Sequence, residues 1–334
     1  MQTRKIGKNG PLSSAIGIGA MSFSNFYGPT DEAASHAILD EAMALGVTHI
    51  DTSNVYGMGE SERAIGAYLE ARGQAAKDHF NIATKAAITS DPEDGRRYFD
   101  NSLAHLEAEL DKSLQKLGVE AVDLFYVHRR DADMSIEAVT ENLAELVRKG
   151  KTRSFGFSEI APSSLRRANA VHPVAAVQSE YSLSTRSPEL GLEQTCAEIG
   201  TALVAFSPVG RSLLTDNPLR PEDIKNLPFL ASNPRFMQPN FSANLEITDG
   251  FRKLAAEMEL PAAGLAIAWL LHKGPHILPI PGTRSVAHFR ELVKGAEITL
   301  SADDLAAIDR VLPIGWAHGD RYSAGQWVGP ERYC

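Results

Sequence analysis

Four side chains able to move protons lie at the ends of short apolar runs: Asp51 and Tyr56 in "HIDTSNVYG", Lys85 closing "FNIATK" and His128 closing "VDLFYVH". A phenol is a weak acid, with a pKa of ~10. A neighbouring ammonium favours its phenolate, and a carboxylate on that ammonium keeps the charge in a desolvated place. Together they are expected to lower Tyr56 until it gives up a proton near neutral pH. The imidazole of His128 can hydrogen-bond the same oxygen and orient it, which suits a carbonyl on its way to an alcohol. The missing ingredient is hydride, which no side chain supplies, so the set implies a nicotinamide cofactor. Each residue alone has an ordinary use: Asp51 as a turn cap, Lys85 snorkelling to solvent, Tyr56 covering a loop, His128 as a hydrogen-bonded core histidine. Their convergence is what argues for chemistry.

Convergence requires a scaffold. Apolar, largely β-branched runs recur at 15–19, 47–51, 80–85, 122–128, 152–158, 174–181, 202–208 and 276–282, and helical spacing fills most of the gaps. In "DEAASHAILDEAMALG" from Asp31, Ala34, Ile38, Ala42 and Leu45 mark one face and Gly46 suits a C-terminal cap. "RYFDNSLAHLEAELDKSLQKLG" and "SIEAVTENLAELVRKG" are read as helices of the same form. Eight apolar strands alternating with helices predict a single α/β domain over 1–334, a closed (β/α)8 TIM barrel whose active site sits at the C-terminal strand ends. A doubly wound sheet is disfavoured, because neither "GIGAMSF" nor "GMGESE" completes G-x-G-x-x-G. Two segments fall outside the alternation. Residues 210–246 are expected to form a cofactor or substrate loop, and 313–334 a C-terminal arm that either packs on the barrel or walls the pocket.

Composition narrows the partners. The chain has 334 residues, 33 basic and 42 acidic, for a net charge of −9, with no basic stripe, so nucleic acid is not expected. No apolar run spans a bilayer and the first residues lack a signal-peptide core, which predicts a cytoplasmic protein. The two cysteines, Cys196 and Cys334, match neither a disulfide framework nor a zinc spacing, and Cys196 is expected to pack as a small apolar residue.

In "HIDTSNVYG", "ATKA" and "DLFYVH" the sequence resembles the aldo-keto reductases, from "AIGIGAMSFS" to about Asp309, and "FYGPTDEA" and "AAVQSEYSLSTR" point to a bacterial and plant subgroup. The resemblance implies that Asp51, Tyr56, Lys85 and His128 are the family's catalytic tetrad. It also places Ser158, Glu159 and Gln178 near the nicotinamide carboxamide, Phe206 stacked on its ring, and Ser207, Pro208, Val209, Gly210 and Arg211 around the pyrophosphate, with Ala20 and Met21 among the cofactor contacts. Glu159 stands where many members have Asn. "IPGTRSVAHFRELV" resembles the adenosine phosphate segment, with Gly282, Thr283 and Arg284 near the 2′-phosphate and Glu291 near the adenine; His288 stands where some members have a second Arg, and Leu292 departs from the usual Asn. Arg284 and Arg211 favour NADP(H), with NAD(H) still open. Met21, Phe26 and Tyr27 are expected to form an apolar substrate wall. Arg129 and Arg130 either meet an anionic substrate or are solvated.

A regulatory barrel that senses nicotinamide redox state is the second reading, disfavoured by the complete tetrad. A third, a cofactor-free lyase using Lys85 as a Schiff-base nucleophile, needs an unpaired amine.

Overall fold

The computed structural model describes residues 1–8, 10–91 and 93–332. Eight parallel strands form one sheet: β1 Ile18–Gly19, β2 His49–Asp51, β3 Asn81–Ala86, β4 Leu124–Val127, β5 Phe155–Ser158, β6 Ala176–Glu180, β7 Ala202–Phe206 and β8 Ile277–Pro279. Each lies within, or one residue beyond, an apolar run picked out in the sequence. The sheet closes where Gly17 N donates to Pro279 O and Gly19 N to Pro281 O, both at 2.9 Å. Pro279 and Pro281 have no N–H to return, so this seam is bonded in one direction only. It is also tight: a Cβ on Gly19 would sit 2.6 Å from Ile280 O. Gly19→Ala is therefore expected to cost about 1–3 kcal/mol, read as a lower denaturant midpoint with an unchanged slope.

The parallel register explains how distant residues meet. Asp51 pairs with Ala83, Lys85 with Tyr126, Tyr126 with Gly156, Gln178 with Ser158, and Gln178 with Val204. Because side chains alternate with period two, Asp51, Lys85, His128, Ser158, Gln178 and Phe206 share the inward face. Below them the interior is filled by Ala83, Leu124, Tyr126, Ala176, Ala202, Val204, Leu278 and Ile280, with Ile6 packed against them. Ile6 lies between strands Thr3–Lys5 and Leu12–Ser14, an antiparallel hairpin not anticipated from the sequence.

The outer core lies between strands and helices. Glu32–Leu45 starts where the Asp31 carboxylate accepts from Ala34 N and stops at Gly46, at φ 70°. It buries Ile38, Leu39 and Ala42 and so covers one side of the sheet. The segment from Arg97 was expected to be helical, but Arg97–Phe99 pairs with Ile88–Ser90 as a hairpin, and the helix begins at Leu103 behind the Ser102 cap. Aromatic and branched side chains favour the strand there, and the cap sets the true start. The 210–246 segment is not open loop. Pro221–Ile224 and Pro228–Ala231 are short helices, Asn240–Glu257 is a long one, and Leu213, Ile224, Leu227, Leu230, Phe236 and Phe241 form a small core of their own.

Candidate active site

β2 delivers Asp51 to the barrel rim, and the chain then turns so that Tyr56 N donates to Ser53 O at 3.1 Å. Gly57 and Gly59 adopt φ of 58° and 89°, which reverses the chain into the helix Glu60–Arg72 and leaves the Tyr56 ring over the opening. β3 brings up Lys85, fully buried, whose Nζ donates to Asp51 Oδ1, to Thr52 O at 2.8 Å and to Tyr56 Oη at 3.4 Å. Gln178 Nε2 holds the second Asp51 oxygen at 2.8 Å. His128 follows β4, its ring 5.9 Å from that of Tyr56 between centroids and nearly perpendicular to it. Its Nδ1 lies 3.1 Å from Ser53 Oγ. The four residues picked out in the sequence thus meet at one rim, and the amine of Lys85 is paired, which removes the Schiff-base reading.

Electrostatics corrects one expectation. Burial pushes Tyr56 above its ordinary value of 10.0, and the opposing pull of Lys85 does not reverse this. The phenol keeps its proton throughout neutral pH. Burial would lower Lys85, but Asp51 and Tyr56 outweigh it and hold the ammonium above 10.5. Burial, then Arg129 and Lys85, drive His128 well below 6.5, so the imidazole is neutral. The site therefore presents a protonated acid, a neutral hydrogen-bonding ring and a permanent cation able to stabilise phenolate once the proton has left.

A cleft of ≈ 720 Å³ runs from Tyr56 and His128 to Arg284, His288 and Glu291. Met21, Phe26, Tyr27, Arg129, Ser158, Gln178, Phe206, Ser207, Pro208, Val209, Arg211, Gly282 and Thr283 also line it. Ala20, Glu159 and Gly210 do not. Ala20 is buried behind the first turn, where its carbonyl accepts from Ser61 Oγ at 2.7 Å. Glu159 is wholly buried and bonded to Arg321 at 2.7 Å and to Glu180 N at 3.0 Å, which turns it from the nicotinamide position expected of it. Arg211 lines the cleft but is bonded to Glu180 at 2.6 Å. Arg130 leaves the cleft for Glu331, at 2.6 Å.

Several cleft residues were not singled out in the sequence: Val55, Ile88, Arg97 and Phe229. Phe229 meets Phe26 at 5.2 Å between ring centroids, and Arg284 Nη1 donates to Pro29 O at 2.7 Å, so the loop after β1 reaches both far walls. The C-terminal arm does both things considered for it. Trp316 Nε1 ties it to Leu183 O at 2.8 Å, and Tyr322 lines the cleft. Tyr333 and Cys334, at its end, lie outside the described residues. Cys196 is a buried free thiol, packed in the outer core as anticipated.

The loop after β7 has features suited to a dinucleotide. Ser207, Gly210, Arg211 and Ser212 all have positive φ, between 49° and 86°, and strain of this kind concentrates at ligand clamps. Among the described residues the amides of Val209, Arg211 and Ser212 donate to no acceptor, so they remain available to phosphate oxygens. The helix Val286–Lys294 begins at the far end of the cleft, between Arg284 and His288, where its N-terminal dipole favours a further phosphate.

Comparison with known proteins agrees with this geometry. The chain is 37% identical over 326 residues to the aldo-keto reductase yakc [NADP(+)] of Schizosaccharomyces pombe, covering 97% of this chain and 95% of that protein. It is 36% identical over 330 residues to the aldo-keto reductase str7 of Strobilurus tenacellus, covering 96% and 95%. The glycerol dehydrogenase AKR11B4 of Gluconobacter oxydans superposes with a TM-score of 0.80 at 25% identity, covering 93% of this chain and 94% of that one. The model of the aldo/keto reductase family matches residues 15–313, and the chain belongs to that family.

Proposed function

We propose that this protein reduces an aldehyde or ketone to the alcohol, with Tyr56 giving the proton to the carbonyl oxygen and NADPH as the cofactor. The arrangement of Lys85 between Asp51 and the Tyr56 hydroxyl carries this reading. Bound NADPH supplies the hydride. The chain's part is to hold the cofactor and manage the proton. Phe206 offers a ring face to the nicotinamide, Ser158 and Gln178 offer polar groups to its carboxamide, and the free amides after β7 offer donors to the pyrophosphate. Arg284, His288 and the helix N-terminus between them favour the extra phosphate of NADP, consistent with the cofactor named for the S. pombe relative.

The carbonyl oxygen lies between Tyr56 Oη and His128 Nε2. If the Ser53 hydroxyl donates to Nδ1, the neutral ring carries its proton on Nε2 and can donate to the substrate. Proton transfer leaves phenolate beside the Lys85 ammonium, which Asp51 and Gln178 hold in place. The barrel, the 210–246 insert and the arm act as one cytoplasmic unit in this reading. Purified protein given NADPH and a panel of aldehydes and ketones is expected to consume the cofactor, followed as the loss of absorbance at the reduced nicotinamide band. Tight NADPH binding with no turnover across the panel would instead favour a redox-sensing role.

A further inference from the structure

We propose that the carbonyl substrate carries a carboxylate, received by Arg97 and Arg129 beside Tyr56 and His128. The inference rests on the reaction proposed above and names its substrate class. Arg129 follows His128 directly, lines the cleft and is only 9% exposed. Its Nη1 donates to His128 O at 2.6 Å and Ser158 Oγ at 3.0 Å, while its buried Nε has no partner among the described residues. Arg97 enters the same cleft from the hairpin after β3, with its guanidinium 5.2 Å from the centre of the Phe99 ring.

Four other arginines around this rim are matched to acids, whereas Arg284, at the far end of the cleft, is bonded to Pro29 O. Arg130 pairs with Glu331 at 2.6 Å, Arg211 with Glu180 at 2.6 Å, Arg321 with Glu159 at 2.7 Å and Arg235 with Glu180 at 3.7 Å. Among the described residues, Arg97 and Arg129 have no such carboxylate. Asp51 is bonded to Lys85 and Gln178, and although the field of Glu159 reaches Arg129, its oxygens are bonded to Arg321 and Glu180 N. Arg129 is buried with no carboxylate bonded to it, Arg97 on the exposed hairpin carries the same charge into the same cleft, and partial burial together with Arg129 lowers Arg97. A substrate carboxylate removes that imbalance, and the planar guanidinium suits it. Since Arg129 adjoins His128, the acid lies a few bonds from the reacting carbonyl. Val55, Ile88 and Tyr322 line the same cleft.

The test compares 4-formylbenzoate with its methyl ester, which has nearly the same shape but no charge. With NADPH, kcat/KM for the acid is expected to exceed that for the ester by about ten- to hundredfold. This ratio should fall toward one in Arg97→Gln and in Arg129→Gln, mainly through KM. Arg97 is on an exposed hairpin, so its variant remains informative even where the buried Arg129 variant fails to fold. Independently of turnover, benzoate titrated calorimetrically into the cofactor-free protein should bind more weakly in Arg97→Gln. A wild-type ratio at or below one overturns the anionic substrate and leaves carbonyl reduction standing. Absence of turnover with both compounds, while other members of the carbonyl panel are reduced, likewise overturns this substrate class; absence of turnover across the whole panel overturns the reaction, and benzoate binding that is absent, or equal in the variant, overturns the anion site.

Discussion

Replacing Tyr56 by phenylalanine is expected to lower kcat for carbonyl reduction by ~10²–10⁴-fold with NADPH affinity retained, because the change removes only the acid. The ring stays and can still fill the space over Lys85, whose Nζ lies 5.0 Å from its centre. Cofactor fluorescence titration and steady-state rates on one preparation separate the two effects. Unchanged turnover would remove Tyr56 from the reaction.

The pH profile of the wild type follows from the same geometry. Reduction needs the phenol protonated, and burial raises Tyr56 above 10.0, so the rate should be level through neutral pH and decline only on the alkaline side. Oxidation of the alcohol needs phenolate, so its rate should rise with pH over that range. His128 is held well below 6.5, so any loss from its protonation appears on the acid side of that value. A reduction rate already falling between pH 6 and 8, as a Tyr56 brought down near neutrality would give, contradicts this assignment.

The contrast between that profile and the lowering expected from sequence shows what spacing conveys. Asp51, Tyr56, Lys85 and His128 were legible because each is a polar residue ending a short apolar run, and a barrel brings such ends to one rim. The alternation of runs and helices was enough to identify the barrel. Spacing does not reveal depth: Lys85 was rightly expected to pull Tyr56 down, but the opposing desolvation is a property of the packed site. Register is hidden for the same reason, since the inward staircase from Asp51 to Phe206 depends on how each strand is staggered against the next. Arg97 went unnoticed because "RYF" precedes a strongly helical stretch and was absorbed into it. The Glu159–Arg321 pair joins residues 162 apart, and only folding shows that an acid after β5 belongs to an arginine of the tail.

That pair sets the largest expected stability effect. Glu159 and Arg321 are 0% and 3% exposed, and 2.7 Å separates Glu159 Oε2 from Arg321 Nη2. Burial would raise Glu159, but Arg321, then Arg129, hold it below 4.5. Arg321→Met removes the guanidinium and leaves the carboxylate in a desolvated place, which costs about 3–5 kcal/mol. Arg211 and Arg235 are directed at Glu180, and Arg129, whose charge also lowers Glu159, is bonded to His128 O and Ser158 Oγ, so none of the three replaces the lost contact. The sign with pH is diagnostic. In the wild type the depressed Glu159 contributes stability that is present above pH 4.5 and lost as pH falls through its folded value. In the variant its pKa moves up, so the deficit should be largest at neutral pH and shrink as acid neutralises the carboxylate. Denaturant unfolding at pH 7 and pH 5 checks this, and adding Glu159→Gln to Arg321→Met should recover much of the loss at pH 7, since neutral groups replace both charges. Equal losses at both pH values, with no recovery in the double variant, would mean that Arg321 acts through its packing on Tyr322 and Trp327, 4.7 Å from each ring centre, and not through the charge of Glu159. Either way the arm is loosened, and because Tyr322 walls the cleft, KM for the carbonyl substrate should rise in Arg321→Met while the proton-transfer groups remain in place.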